Sequence, residues 1–121
     1  MTSENKTLGS LGEDKAAAFL LRHNYAIVER NYRLGRLGEI DIIAYDRASL
    51  SLVFVEVKTR RSLKYGRPAE AVTVEKLRHL RRAAEGYMKA RGLEGQSCRI
   101  DVIEVLIRGE ESYLSHIKGC T

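Results

Sequence analysis

Hydrophobic and polar residues follow two different periods along this chain. Apolar side chains that recur every three or four residues predict an amphipathic helix, whereas short alternating or continuous apolar runs predict a strand. The elements predicted in this way are a helix over 10–23, strands over 25–33, 38–46 and 52–60, a helix over 73–91, and strands over 97–107 and 112–117. The predicted order is therefore α-β-β-β-α-β-β.

This order predicts an α/β fold in which a mixed sheet is flanked by helices. Three consecutive strands with short connections are typical of an antiparallel meander. The helix over 73–91 is long enough to be a crossover, which would place the strand over 97–107 parallel to the strand over 52–60. Residues 9–118 are predicted to form a single domain, and the polar residues 1–8 a flexible N-terminus.

The first helix has a candidate cap and an acidic residue with two interpretations. Ser10 is expected to be the N-cap, and Glu13, three residues later, suits a capping box. Glu13 also lies one turn before Ala17 and Leu20, so its side chain can instead point towards the sheet. The apolar face of the helix is expected to consist of Leu11, Ala17, Leu20 and Leu21.

Ionisable side chains interrupt the two most apolar strand patterns. Glu39 and Asp41 lie in GEIDIIAYD, and Glu56 and Lys58 lie in LVFVEVKTR. Because side chains alternate along a strand, Glu39, Asp41 and Ile43 are predicted to share one face. If the two strands pair, Asp41 meets Glu56 and Lys58 on one side of the sheet.

Two interpretations of these residues stay open from the pattern alone. Buried carboxylates need a partner charge or a metal, so the acids could form a structural ion pair with Lys58. Alternatively, their oxygens could hold Mg²⁺ or Mn²⁺ for phosphodiester hydrolysis, with the lysine stabilising charge at phosphorus. Asp101 is predicted to be a solvated or paired residue in its strand.

Charge and cysteine content narrow the choice of partner and compartment. The formal net charge of +5 favours polyanions, because each phosphate contact releases counterions. Cys98 and Cys120 lie far apart in the sequence, which argues against a zinc site; Cys98 is expected to be buried in a strand and Cys120 to be a free thiol. No membrane-spanning run and no signal sequence is visible, so a cytoplasmic location is expected.

An aspartate followed, after fourteen residues, by E-x-K across two strands resembles the PD-(D/E)xK nuclease core of restriction endonucleases and archaeal Holliday-junction resolvases. The resemblance continues through LGEDKAAAFL, RNYR, YGRPAEAVTVEKLRHL and RIDVIEV, which together are similar to the YraN-like family of small bacterial proteins. It spans roughly residues 8–107. The proline that usually precedes the aspartate is replaced by Ile40.

This resemblance implies a restriction-endonuclease-like core and a catalytic site. Asp41 would be the central metal ligand, Glu56 the second ligand, and Glu13 an additional acid at the metal. Lys58 would be the catalytic lysine, and Glu39 would orient a water, a ligand or a nearby arginine. The implied cofactor is Mg²⁺ or Mn²⁺, and the implied activity is cleavage of DNA, branched or otherwise structured.

Basic residues around these strands are candidates for phosphate contacts. The candidates are Arg33, Arg36, Arg60, Arg61, Lys64 and Lys76. DNA is favoured over RNA as the partner, and a homodimer would suit a resolvase, although no dimer face is visible in the sequence. The alternative function is a nucleic-acid-binding protein that keeps the nuclease fold without cleaving.

Overall fold

The computed structural model describes residues 7–61 and 73–120. Most of the predicted flexible segment, as well as Lys64 and the loop around Pro68, lies outside these residues. The helices and strands are α1 (Leu8–Arg22), β1 (Tyr25–Arg33), β2 (Glu39–Asp46), β3 (Ser51–Arg60), α2 (Val74–Ala90), β4 (Cys98–Arg108) and β5 (Glu111–Ile117), with a short 3-10 turn at Gly35–Leu37.

The five strands form one mixed sheet in the order β1-β2-β3-β4-β5. β3 and β4 are parallel, as predicted for a helical crossover, and the other neighbours are antiparallel. The α/β class, the mixed sheet and the order α-β-β-β-α-β-β are confirmed. Strand β1 has the predicted bounds, and the other elements differ from prediction by one or two residues at their ends.

The start of α1 differs from the prediction. Thr7 is the N-cap, and its side chain accepts a hydrogen bond from the Ser10 N–H at 3.0 Å. Ser10 is therefore inside the first turn, and the predicted capping box between Ser10 and Glu13 is wrong. The Glu13 side chain is therefore not part of the helix cap. Leu21, which was expected on the apolar face, is 58% exposed, while Leu20 is fully buried.

Two apolar clusters lie on opposite faces of the sheet. On one face, α1 packs small and branched side chains against the strands; the buried members include Ala16, Ala17, Leu20, Ile42, Val53, Val55, Ile103 and Val105. On the other face, α2 covers the strands; the buried members include Ile40, Ile43, Phe54, Leu80, Ala84, Tyr87 and Met88. Apolar burial on both faces explains why β3 is almost continuously hydrophobic.

A buried ionic network ties β2, β4 and β5 together at one end of the sheet. The Arg99 guanidinium contacts Asp46 at 3.0 Å and Asp101 at 3.0 Å, and donates to the Tyr25 hydroxyl at 2.9 Å. Asp101 is fully buried and also contacts His116 Nε2 at 2.7 Å. Of the two predicted environments for Asp101, the paired one is therefore correct.

The cysteines lie near this end of the sheet. Cys98 is exposed at the start of β4, so the prediction that it is buried is wrong. Strand β4 becomes buried only from Ile100 onwards, where its side chains enter the core. Cys120 is a free thiol, as predicted.

Candidate active site

Strands β2 and β3 separate at the point where Asp41 lies. Their pairing runs from Asp46 opposite Ser51 to Ile42 opposite Val55, and no pairing follows on the Asp41 side. There the Asp41 carboxylate enters the gap, and its Oδ2 accepts a hydrogen bond from the Val57 N–H at 2.8 Å. The Asp41 side chain thus supplies the acceptor that the Val57 N–H would otherwise find in the backbone of a paired strand.

The same separation interrupts the alternation of side chains along β2. Ile40 and Ile43 pack in the cluster beneath α2, whereas Ile42 packs beneath α1. An undisturbed strand would place Ile40 with Ile42. The prediction that Glu39, Asp41 and Ile43 share a face rested on strict alternation, which does not hold here.

Asp41 is surrounded by other carboxylates. Burial raises its pKa, the negative charge of Glu56 raises it further, and Glu13 and Glu39 add to the effect. The hydrogen bond from the Val57 N–H opposes these influences, and the resulting pKa of Asp41 is about 7 rather than 3.8. Such a group is poised to gain either a proton or a cation near neutral pH.

Glu56 is buried next to two lysines. It is 4% exposed, and its Oε2 lies 3.2 Å from Lys58 Nζ and 3.8 Å from Lys76 Nζ. Lys76 comes from the first turn of α2, where Thr73 caps the helix by accepting a hydrogen bond from the Lys76 N–H. Lys76 was predicted as a phosphate contact only, and the structure places it beside the acids as well.

Glu13 reaches this site because α1 approaches β3 very closely. Gly12 is buried, and a Cβ atom added to it would clash with Thr59 Oγ1 and lie 2.8 Å from Thr59 Cβ. Only glycine permits this approach, which brings the neighbouring Glu13 over the open end of the β2–β3 hairpin.

We expect Gly12→Ala to destabilise the protein by about 1–2 kcal/mol, because the overpacking against Thr59 outweighs the better helix propensity of alanine. Chemical denaturation measures this change. Gly9→Ala is the matched control: Gly9 lies on the same helix with nothing within 4 Å, and alanine there should stabilise. In a Thr59→Gly background, which lacks all three clashing atoms, Gly12→Ala should cost much less; an unchanged cost would contradict the close contact as its cause.

Arg30 and Asn31 on β1 complete the polar cluster, and neither was a predicted site residue. Arg30 lies 3.4 Å from Glu13 Oε1 and 2.9 Å from Asp14 Oδ1. The terminal amide of Asn31 faces Glu13 and Glu39. The motif RNYR contained both residues, but only the spatial position of β1 beside α1 reveals what they contact.

The predicted basic residues have different positions. Arg33 pairs with Glu39 across the β1–β2 ladder, and Arg36 is exposed in the turn before β2. Arg60 is the last residue of β3, two residues after Lys58, and Arg61 follows the strand. The structure therefore brings Glu13, Glu39, Asp41, Glu56, Lys58 and Lys76 together at the open end of the hairpin, with Arg33 opposite Glu39.

The chemistry of these side chains fits a hard divalent cation. Carboxylate oxygens are the usual ligands of Mg²⁺ and Mn²⁺. The raised pKa of Asp41 reflects burial first and the negative charge of neighbouring acids second, and a bound cation would favour the charged carboxylate against both. Within residues 7–61 and 73–120, no three His, Cys, Asp or Glu side chains are already arranged to ligate one ion. Glu56 is instead turned towards the two lysines.

Fold and site together define an α/β protein with a cluster of carboxylates and lysines where a β-hairpin opens. The chain belongs to the uncharacterised protein family UPF0102, whose model matches residues 12–105. A UPF0102 protein from Chlorobium phaeobacteroides is 48% identical over 89% of this chain and 83% of its own length. One from Caldicellulosiruptor saccharolyticus is 46% identical over 90% of each chain. The predicted family, called YraN-like above, is confirmed.

The matched segment contains the whole candidate site, from Gly12 on α1 to Lys76 on α2. A further relative, from Symbiobacterium thermophilum, is 50% identical over 84% of this chain and 83% of its own.

Neither α1 nor α2, the two long helices in the part of the chain that the structure describes, is long and apolar enough to cross a membrane.

Proposed function

We propose that this protein is a metal-dependent endonuclease that cleaves DNA, branched or otherwise structured, in repair or recombination in the cytoplasm. The observation that carries the proposal is the position of Asp41 between separated strands, with Glu56 and Lys58 on the neighbouring strand. The resemblance of this D…E-x-K order to the PD-(D/E)xK nucleases supports the same activity.

In this proposal Asp41, Glu56 and Glu13 hold one Mg²⁺ or Mn²⁺ ion. The ion would lower the pKa of a bound water and neutralise charge on the phosphate. For Glu56 to take part, its carboxylate must exchange at least part of its contact with Lys58 and Lys76 for the cation. Glu39, which shares the Asn31 amide with Glu13, would orient the acids or a water.

Lys58 would act directly on the reacting phosphate. Its Nζ lies 3.2 Å from Glu56, and its side chain is 28% exposed, so the amine is close to the proposed ligands and still reaches solvent. A protonated amine in this position can donate to the oxygens on which negative charge develops during attack by water. Lys76, whose Nζ lies 3.8 Å from the same Glu56 oxygen, can hold a neighbouring phosphate.

The surrounding basic residues would bind the phosphates on either side of the cut. Arg60 ends β3 beyond Lys58 and Arg61 follows it, while Arg33 lies opposite Glu39 and Arg36 lies in the turn before β2. Lys64 belongs to the same proposed set. Such contacts position a nucleic acid without reading its sequence, so structure rather than sequence is expected to select the substrate. A homodimer would present two such sites to a branched DNA.

A second candidate function is binding of nucleic acid without cleavage. The favouring observation is the contact of Glu56 with both Lys58 and Lys76, which keeps one proposed ligand neutralised by protein cations. If those contacts persist when a divalent cation is present, the basic surface remains but the hydrolytic site does not assemble.

Cleavage of a labelled panel tests the proposal. Single-stranded DNA, duplex, flap, four-way junction and structured RNA are incubated with the full chain in Mg²⁺, in Mn²⁺ and in a chelator. We expect cuts in branched DNA that require the metal. Binding without any cut on any substrate would support the second candidate, and neither binding nor cutting would reject both.

We expect Lys58→Ala to lower the cleavage rate by about 10²–10³-fold, because one charged donor to the transition state is removed. DNA affinity without divalent cation should change only a few-fold, since the arginines carry the phosphate contacts. Single-turnover cleavage and fluorescence anisotropy give the two values. The matched control is Lys89→Ala, an exposed lysine in the last turn of α2. Equal losses of rate and affinity at Lys58 would instead indicate a binding role.

A further inference from the structure

Asn31 has a backbone conformation that a strand does not normally contain. Its φ is 55°, in the left-handed region, although it lies within β1. Its neighbours Arg30 and Tyr32 pair with Ile42 and Ile40, so Asn31 lies opposite Asp41. Asparagine tolerates this conformation better than most residues, but it is still strained compared with an extended one. Strain in an observed outlier often accompanies a functional position.

The conformation aims the Asn31 side chain at two carboxylates of the proposed site. With its amide nitrogen facing them, Nδ2 lies 3.2 Å from Glu13 Oε1, 3.1 Å from Glu13 Oε2 and 3.2 Å from Glu39 Oε2. The amide oxygen in that place would face three acceptors, so the hydrogen-bonding partners assign the nitrogen to it. The two N–H groups of the amide match the two carboxylates.

We propose that Asn31 is a positioning residue that holds Glu13 and Glu39 at the open end of the hairpin for the divalent cation. The role towards the cation rests on the proposed function; the contact with the two acids does not. Glu13 comes from a helix and Glu39 from a strand, and without a donor between them their like charges repel. Asn31 joins them without adding a positive charge that would compete with the metal.

The test uses glycine at position 31, because glycine accepts a positive φ and removes only the side chain. We expect Asn31→Gly to keep the melting temperature of the metal-free protein within a few degrees and to weaken Mn²⁺ binding about tenfold or more, the usual effect of losing a residue that orients metal ligands. Isothermal titration calorimetry on the full chain measures the affinity. Saturating Mn²⁺ should restore most of the maximal cleavage rate.

Asn24→Gly is the matched control. Asn24 also has a positive φ, 68°, and is exposed in the turn between α1 and β1. The same substitution there should leave Mn²⁺ affinity within about twofold of wild type, because Asn24 precedes the end of β1 that pairs with Asp46, at the far end of β2 from Glu39. If Asn31→Gly also stays within twofold while wild type binds Mn²⁺, the Asn31 proposal is overturned and the proposed function stands.

A metal-free experiment separates the two proposals when wild type binds no Mn²⁺ and cuts nothing. That result rejects the proposed function. Melting temperatures of Asn31→Gly, Glu13→Ala and the double variant then test the contact alone. Non-additive shifts support the amide as the link to Glu13, and equal effects of Asn31→Gly with and without the Glu13 side chain overturn it.

Discussion

Asp41→Asn should abolish metal-dependent cleavage, with a loss on the order of 10³-fold or more, and yet stabilise the metal-free protein at pH 8. The loss follows from removing the proposed central ligand. The gain follows from the pKa of Asp41, which burial and the neighbouring Glu56 raise to about 7. Asparagine keeps an oxygen for the Val57 N–H but carries no charge.

The size of the stability change depends on pH. A carboxyl whose folded pKa is about 7 instead of 3.8 stabilises the folded state below about pH 4, and this contribution is lost as the pH rises through 7. The advantage of Asp41→Asn should therefore appear between pH 4 and pH 8 and reach about 1–2 kcal/mol, allowing for solvent screening. Thermal denaturation in a chelator at several pH values measures it.

Asp46→Asn is the matched control at the other end of β2. Burial alone would raise the pKa of Asp46, but hydrogen bonds from Ser49, Arg99 and the Ala48 N–H outweigh it and lower the pKa to about 2. The same substitution should therefore destabilise at neutral pH and leave cleavage intact. Full activity in Asp41→Asn, or loss of activity in both variants, would remove Asp41 from the proposed centre.

The largest loss of stability is expected from Arg99→Met. It leaves Asp46, which is 5% exposed, and the fully buried Asp101 without their shared cation. Breaking a buried ion pair in this way costs about 3–5 kcal/mol, which corresponds to a fall in melting temperature of roughly 10 °C or more. Urea denaturation and thermal denaturation both measure the change.

Acid should reduce the difference between wild type and Arg99→Met. Burial opposes the ionisation of Asp101, but the contacts with His116, the Gly119 N–H and Arg99 hold its pKa below the usual value. Carboxyls with lowered pKa stabilise the folded state above about pH 4, and wild type loses this contribution as the pH falls towards 2. A difference that stays constant from pH 7 to pH 3 would contradict the electrostatic explanation.

Arg91→Met is the control for this prediction. The Arg91 guanidinium lies 4.1 Å from the centre of the Tyr87 ring and 3.4 Å from Glu29, but its side chain is 41% exposed. Exposed ion pairs and cation–π contacts contribute about 1 kcal/mol or less each. The change at Arg91 should therefore be much smaller than the change at Arg99, although both variants lose one arginine.

Secondary structure could be predicted from the sequence because its signals are local. Strand β1 was predicted with its observed bounds, since a segment that contains aromatic and β-branched residues ends there at the glycine-containing LGRLG. The N-cap of α1 was wrong because both Thr7 and Ser10 suit that position, and only the folded helix selects Thr7. That error left a capping role open for Glu13 beside the interpretation in which its side chain points towards the sheet.

The candidate site could be predicted as a set of residues, but not as an arrangement. The acids and Lys58 are recognisable because charged residues rarely occur in buried strands. The separation of β2 and β3 at Asp41, and the position of Lys76 beside Glu56, depend on how distant segments pack. Asn31 was missed because an exposed asparagine in a strand carries no signal until its backbone angle is known.

The parallel pairing of β3 with β4 has a consequence for how the chain folds. Leu52 lies opposite Cys98, so this central pair forms only after a long stretch of chain, including α2, has closed into a loop. Closing such a loop costs entropy before its contacts can form, whereas the β2–β3 hairpin needs only a short turn. The acids Asp41 and Glu56 can therefore become neighbours early, while β4 and Lys76 join them in a later and slower step.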